Sequence, residues 1–323
     1  MRLSSDGGGR SNRLSDSPLR FVLIGGTGFL GAALARELRG RGLRVVTVAR
    51  GSRTGSTRTA PDVRLDVVRT PEAIDRVIEL GDTVIYLAGL SPLARPIGGR
   101  RRYRDVHVRG LAATLAAAEK QGAARFVGIS ALGVSATCAA AYGETKARAA
   151  AMVHASRIPG LVVEPSVLFG DGSEIIRALQ LASRLAAVPL PRITAAIRPI
   201  HVADAARRLA DAVTGSPLPE RLELTGPELL TFEQVATAYL EPRGTRVILL
   251  PRSLSRTLTG LASRIKLPGV PAELDAMLAM DNAGKPPPRP HELIAYSDWA
   301  VRIGDDAPGV TSRRPDRDGV GSP

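Results

Sequence analysis

Residues 20–40 read RFVLIGGTGFLGAALARELRG, and the reading of this stretch decides the fold. Phe21 to Ile24 form an apolar run without polar alternation, the pattern of a strand that helices cover on both faces. The run passes directly into Gly25, Gly26, Gly28 and Gly31, and then into a helix rich in alanine and leucine. Glycines in such a turn meet three needs: a tight bend without Cβ, close approach of main chain to a diphosphate, and close packing of helix on strand. A strand before, a helix after and a further strand at the proper distance favour a dinucleotide-binding turn over a purely structural one.

Beyond the turn, short β-rich runs alternate with alanine-rich helical ones. They are RVVTV (Arg44 to Val48), VRLDV (Val63 to Val67), TVIYL (Thr83 to Leu87), a helix near Asp105 to Gln121, RFVGIS (Arg125 to Ser130), a helix from Tyr142, and LVVEP (Leu161 to Pro165). This order predicts an α/β chain built on a doubly wound parallel Rossmann sheet, with a smaller C-terminal substrate-side region. The expected organisation is a disordered tail at 1–17, a Rossmann domain at 18–215 with an insertion at 171–197, a substrate or partner region at 216–300, and a second disordered tail at 301–323. A helix is expected from about Ser173 to Ala187, and a short strand and helix around Pro199 to Val213.

The end of the second strand discriminates between cofactors. An acid there accepts hydrogen bonds from the ribose 2′-hydroxyl of NAD, whereas arginine pairs with the 2′-phosphate of NADP. The sequence runs VTVARGSRTG: Arg50 stands about twenty residues after the glycine turn, where the acid would fall, Arg53 follows, and no acid appears until Asp62. NADP(H) is therefore favoured over NAD(H). Asp66, after the third strand, is placed either to accept from an adenine amino group or to close a strand-terminal turn.

The bulk composition narrows the function classes. Among 323 residues 44% are hydrophobic but only 3% aromatic, so aliphatic and alanine side chains must fill the core. No stretch is long and apolar enough to span a bilayer, and no apolar run follows the basic N-terminus before the first strand, so a cytoplasmic location is expected. The single cysteine, Cys138, has no CxxC or histidine cluster beside it, and no metal site is expected. The net charge of +13 comes largely from scattered arginine. Only Arg100, Arg101, Arg102 and Arg104 form a dense run, which reads as a solvated loop rather than a nucleic-acid patch because no nucleic-acid motif accompanies it. From Arg252 to Leu267, Leu254, Leu258, Leu261 and Ile265 share one helical stripe with basic residues elsewhere. Such a helix packs on its own domain, or lies peripherally on a membrane or a partner complex. His107 and His201 read as structural.

GGTGFLG, RLDVV after the third strand, YLAG (Tyr86 to Gly89), YGETK (Tyr142 to Lys146) and EPSVLFG (Glu164 to Gly170) follow the order and spacing of a known superfamily. With RPIHVADAA (Arg198 to Ala206) and LTGPELLTFEQV (Leu224 to Val235), the chain resembles the extended and atypical short-chain dehydrogenase/reductases over about Arg20 to Asp281. Within them it is similar to the group of the NADPH-binding accessory subunit 9 of the complex I alpha subcomplex. The resemblance implies that Gly25, Gly28 and Gly31, with Thr27, Phe29 and Leu30 of the same turn, hold the pyrophosphate. By the same resemblance Arg50 and Arg53 serve the 2′-phosphate, Asp66 and Val67 the adenine, Leu87, Ala88 and Gly89 the ribose side, and Pro165, Ser166 and Val167 the nicotinamide. Tyr142 and Lys146 would be the YxxxK pair.

That pair has a physical logic of its own. Four residues apart on a helix, both side chains share a face, so the Lys146 ammonium is expected to lower the Tyr142 pKa and to hydrogen-bond the ribose. Tyr142 would exchange a proton with substrate while hydride is exchanged with the nicotinamide. The fifth strand ends as GISALGVSATC. Ser130 stands at its end as a candidate catalytic and nicotinamide-contacting hydroxyl, but by family register the catalytic hydroxyl falls on Leu132, which cannot donate; Ser135 or Thr137 would have to reach in from the following loop. Two functions stay open: an NADP(H)-dependent oxidoreductase or epimerase-like enzyme on a small carbonyl, sugar-nucleotide or isoprenoid-like substrate, and a non-catalytic NADPH-binding accessory or assembly protein of a membrane-associated complex.

Overall fold

A computed structural model describes residues 19–51, 60–91, 99–192, 195–251 and 282–305. Arg53, the amphipathic stretch from Arg252 to Leu267 and the 1–17 tail lie outside the described residues. Seven parallel strands form the central sheet: β1 (Arg20–Ile24), β2 (Arg44–Ala49), β3 (Val63–Arg64), β4 (Thr83–Tyr86), β5 (Arg125–Ile129), β6 (Gly160–Pro165) and, at one edge, β11 (Arg221–Leu224). Their order, β11-β6-β5-β4-β1-β2-β3, reverses direction between β1 and β4, the switch point at which doubly wound sheets bind nucleotides. The sheet thus takes its edge strand from beyond residue 215, because β11 pairs in parallel register with β6, Leu222 opposite Val163 and Leu224 opposite Pro165.

The helices cover both faces. Helix α1 (Phe29–Gly40) turns Leu30, Leu34 and Leu38 inward, and with α6 (Val202–Thr214) it buries Phe21, Leu23, Ile85, Val127 and Leu161 on one side. Helices α3 (Gly110–Gln121) and α4 (Ala141–His154) bury Val22, Ile24, Val84 and Phe126 on the other. These cores are aliphatic and alanine-rich, as composition required. Much of the scarce aromatic content gathers in a third cluster, where Phe169, Tyr239 and Tyr296 pack with Trp299 around α5 (Glu174–Ala182), α7 (Phe232–Leu240) and α8 (Tyr296–Asp305).

Several local expectations change in the structure. The third strand is shorter than expected: after Arg64 only the Leu65 amide still bonds to Ala49, and the chain then turns. Helix α5 ends at Ala182, and Ala187 already belongs to β8 (Ala187–Pro191), which pairs with β13 (Arg246–Leu250). Helix α8 continues to Asp305, past the start expected for the tail. The Arg100–Arg104 run is not a loop. It forms α2 (Gly99–Tyr103) and enters a π-helical turn, Arg104–Arg109, because Tyr103, Val106, His107 and Val108 give that segment a buried face.

The two lobes are tied at Asp204 on α6, which is only 3% exposed. Its carboxylate accepts from the Arg207 guanidinium and from the Ile294 amide, each at 2.8 Å. Asp204→Ala leaves that amide without its acceptor and is expected to cost about 1–3 kcal/mol, read as a lowered urea midpoint with faster hydrogen exchange around Ile294. An unchanged midpoint would show that the junction is held elsewhere.

Candidate cofactor and active site

The glycine turn has the shape that its sequence required. Gly25 has φ +86°, and a Cβ there would stand 2.7 Å from the Ala88 amide nitrogen at the end of β4. A Cβ on Gly31 would collide with the Gly25 carbonyl. Helix α1 begins after Gly28 with no side-chain cap and no acid in its first turn, so its positive end meets no carboxylate of its own. Thr27 and Phe29 are half-buried beside it, and Leu30 is in the core. The Leu87 amide bonds to the Ile24 carbonyl at 2.8 Å, which sets Leu87, Ala88 and Gly89 alongside the turn. This backbone cradle, which side chains would fill, fits a dinucleotide diphosphate.

At the end of β2, Arg50 is exposed. Arg64, which sequence reasoning passed over, extends from β3 across Gly51: a Cβ on that glycine, which has φ +72°, would strike the Arg64 Nε. Register alone brings this about, since Arg64 pairs with Ala49, one residue before Arg50. Asp62 is the nearest acid in sequence but is engaged elsewhere. Its carboxylate accepts from the Thr47 amide and hydroxyl, both at 2.8 Å, and from Arg39 at 2.6 Å. These bonds outweigh the opposing effect of burial and hold its pKa below the usual carboxylate value. Asp66 closes a turn, its Oδ1 accepting from the Val68 and Arg69 amides at 3.0 and 3.3 Å, while Val67 is buried in the core.

Tyr142 and Lys146 share one face of α4, but their electrostatics differ from the expectation. Lys146 is 7% exposed, and its Nζ donates to the Ile129 carbonyl at 2.8 Å. Burial lowers its pKa from 10.5 to about 8. The Tyr142 pKa rises rather than falls: desolvation is the largest cause, reinforced by Tyr103 and Glu174. Although Tyr142 keeps some surface open, the surroundings of its phenol decide the direction. The expected lowering by the lysine does not prevail, because enclosure penalises the phenolate and the neighbouring Tyr103 and Glu174 add to the rise.

His107 connects the two halves of the site. Its Nε2 accepts the Leu90 amide proton at 3.0 Å, so Nδ1 carries the ring proton toward the Thr145 hydroxyl, also at 3.0 Å. Thr145 in turn donates to the Ala141 carbonyl at 2.7 Å. Burial, with Lys146 nearby, pushes the histidine pKa down to about 2, so the ring is neutral. Its ring also stands edge-on to Tyr142 at 5.6 Å. His107 is structural, as read, and it anchors the chain after Gly89 to the first turn of α4. His201 caps α6, accepting from the Ala203 amide at 3.3 Å, and packs on Phe169.

The hydroxyl candidates are drawn elsewhere. Ser130 is buried, and its Oγ donates to the main-chain carbonyl of Lys146 at 3.4 Å, tying β5 to α4. Ser135 and Thr137 are exposed and bonded to each other at 3.1 Å. Leu132 is 3% exposed: its amide donates to the Pro165 carbonyl, and its side chain lies against Gly284. The Ser166 hydroxyl donates to the Asn282 carbonyl at 2.9 Å and accepts from the Arg198 amide at 3.2 Å, while the Val167 carbonyl accepts from Ile200. Leu132, Pro165, Ser166 and the 282–285 segment therefore form one wall. Beside it the Arg198 Nε is buried without a hydrogen-bond partner among the described residues, a position that favours a ligand acceptor. Among the described residues no group of three or more His, Cys, Asp or Glu side chains is placed to hold a metal ion. A separate cleft of about 660 Å³ between α1 and α6, lined by Arg36, Glu37, Arg41 and His201, lies away from this chemistry.

Comparison with known proteins agrees with this geometry. The chain is 33% identical over 193 residues to a ceramide reductase of Caulobacter vibrioides, covering 58% of this chain and 59% of that protein. It is 26% identical over 242 residues to the mitochondrial NADH dehydrogenase [ubiquinone] 1 alpha subcomplex subunit 9 of Arabidopsis thaliana, covering 71% of this chain and 59% of that one. Each match thus spans under two thirds of the relative's length. A human epimerase family protein solved with NADPH superposes with a TM-score of 0.61 at 20% identity, over 89% of this chain and all of the other. No helix among the described residues is long and apolar enough to cross a membrane. Residues 21–186 match the NAD dependent epimerase/dehydratase family, which covers the glycine turn, Tyr142 and Lys146, and the chain belongs to that family.

Proposed function

We propose that this protein is an NADP(H)-dependent reductase of a carbonyl carried on an apolar, lipid-like molecule. The observation that carries this reading is the placement of Tyr142 and Lys146 on one face of α4, with the Lys146 Nζ held on the Ile129 carbonyl at the end of β5. A reduction needs a proton donor at the substrate oxygen, and the phenol of Tyr142 carries a proton that it can give. The bound cofactor would supply the hydride to the carbonyl carbon. Tyr142 would give its proton to the oxygen, and Lys146, whose Nζ is anchored on the Ile129 carbonyl, would hold the ribose. Leu132 and Pro165 give part of the wall an apolar surface, which suits a hydrocarbon chain, and the buried Arg198 Nε beside them offers one donor for a polar group. The relative named as a ceramide reductase supports the same substrate class. Arg50 and Arg64 supply the preference for the 2′-phosphate, since an arginine fork matches phosphate geometry.

A second reading is supported by Leu132 in place of a hydroxyl and by the subunit 9 relative: a protein that holds NADPH as a structural ligand and turns nothing over. The two are separated by following NADPH absorbance with a long-chain ketone, with a sugar nucleotide as the alternative. Tyr142→Phe is expected to lower turnover by about 10²–10⁴-fold while NADPH binding persists. If no carbonyl is reduced yet NADPH raises the melting temperature, the accessory reading replaces the enzymatic one.

Two further outcomes follow from the geometry. Arg50→Gln and Arg64→Gln should each weaken NADPH binding about ten-fold, equivalent to ~1.4 kcal/mol, and leave NADH binding unchanged; equal effects on both cofactors would remove the 2′-phosphate assignment. Lys146 gives a pH signature in the cofactor-free protein. Its folded pKa of about 8 lies below the unfolded 10.5, so between these values the unfolded chain holds a proton that the folded one lacks, and stability rises with pH across that window. Relative to the Lys146→Met variant, the wild type should therefore gain stability from pH 8 upward in urea titrations. Parallel pH profiles would show that the ammonium is not desolvated.

A further inference from the structure

We infer that the arginine face of α2 and its π-helical turn is a docking surface for anionic lipid headgroups, placed at the wall of the active site. The inference rests on the lipid-like substrate argued above. Tyr103, Val106, His107 and Val108 face the interior, which forces Arg100, Arg101, Arg104 and Arg109 outward, and all four are exposed. Together with Asp105 they line a hollow of about 410 Å³. Asp105 is the one carboxylate in that lining; it pairs with Arg109 at 3.1 Å, while Arg100 reaches only to Glu144, at 3.9 Å.

Several arginines elsewhere are each neutralised by an acid. Arg20 pairs with Asp82, Arg39 with Asp62, Arg41 with Glu37 and Asp211, and Arg221 with Glu164. Four guanidinium groups crowded around one acid repel one another, and that repulsion is relieved by an external anion. Among the described residues the hollow offers bases no ring to stack on, because Tyr103 and His107 of the same segment are each 1% exposed. This disfavours single-stranded nucleic acid and favours phosphate headgroups.

The position matters as much as the charge. On the opposite side of the same short helix, the Tyr103 ring meets Tyr142 edge-on at 5.9 Å, and Arg100 reaches toward Glu144 on the first turn of α4. Headgroups held by the arginines would thus lie about one helix diameter, ~10 Å, from the proton donor. A carbonyl borne by a membrane lipid would be presented to the site from the layer that the arginines hold.

The test is flotation with phosphatidylcholine vesicles, with and without phosphatidylglycerol, run beside NADPH titration. The full chain should float only with the anionic vesicles. The triple variant Arg101→Gln, Arg104→Gln, Arg109→Gln should lose partitioning about a hundred-fold. A control variant with Arg157→Gln, Arg246→Gln and Arg302→Gln removes the same charge from exposed sites elsewhere and should float like the wild type. Equal losses in both variants would mean that only total charge acts, and would overturn the proposal. So would the absence of flotation, displacement by pyrophosphate at matched ionic strength, or stronger retention on single-stranded RNA than on vesicles. NADPH affinity should be the same in all three proteins, so a failed flotation with intact cofactor binding rejects the surface alone, whereas lost NADPH binding in the wild type rejects the enzymatic reading.

Discussion

The close approach of the Gly25 turn to the end of β4 is the contact on which the rest of the site depends. With no Cβ in the way, the chain leaving β1 passes against Ala88 and starts α1 so near the sheet that Gly31 rests on the Gly25 carbonyl. The uncapped first turn of α1 and the Leu87–Gly89 main chain then lie side by side at the switch point of the sheet. The cofactor-binding character of the chain is thus a property of backbone placement, and side chains contribute chiefly by staying out of the way.

Burial rather than charge pairing governs the reactive residues. Four-residue spacing on α4 suggests an ammonium that activates a phenol, yet enclosure moves both groups toward their neutral forms, Lys146 down and Tyr142 up. Enclosure thus keeps the Tyr142 phenol in its neutral form. Around it, His107, Thr145, Ser130 and Ser166 spend their polar atoms on main-chain and side-chain partners within the wall. A buried polar network of this kind holds its members in one geometry because each unmet bond would cost more than the bond itself gains. The spacing between the glycine turn and α4 is set in this way.

The Rossmann layout, the glycine turn, the YxxxK pair and the missing hydroxyl at Leu132 were legible in the sequence, because each is written in consecutive residues or in the period of a single element. Strand and helix repeats impose their pattern wherever burial is uniform, and a glycine requirement belongs to one position of the chain. The hydrogen-bond and packing partners of His107, Arg64, Ser130 and Ser166 were not legible, and the reason is common to all four: those partners lie elsewhere in sequence or on a neighbouring strand. Arg64 reaches Gly51 only through the β2–β3 register, and Ser166 meets Asn282 across 116 residues.

The Arg100–Arg104 run shows the division most clearly. Its charge was plain from the residue letters, but whether those charges sat on a loop or on the outer face of a helix depended on Tyr103 and His107 finding a buried place beside Tyr142. Local periodicity and backbone geometry, which the sequence by itself determined, settled the fold class and the cofactor turn. Direction of a pKa shift, engagement of a hydroxyl and membership of the sheet by β11 were decided only in the tertiary structure, since desolvation and long-range hydrogen bonding exist only once distant segments have been brought together.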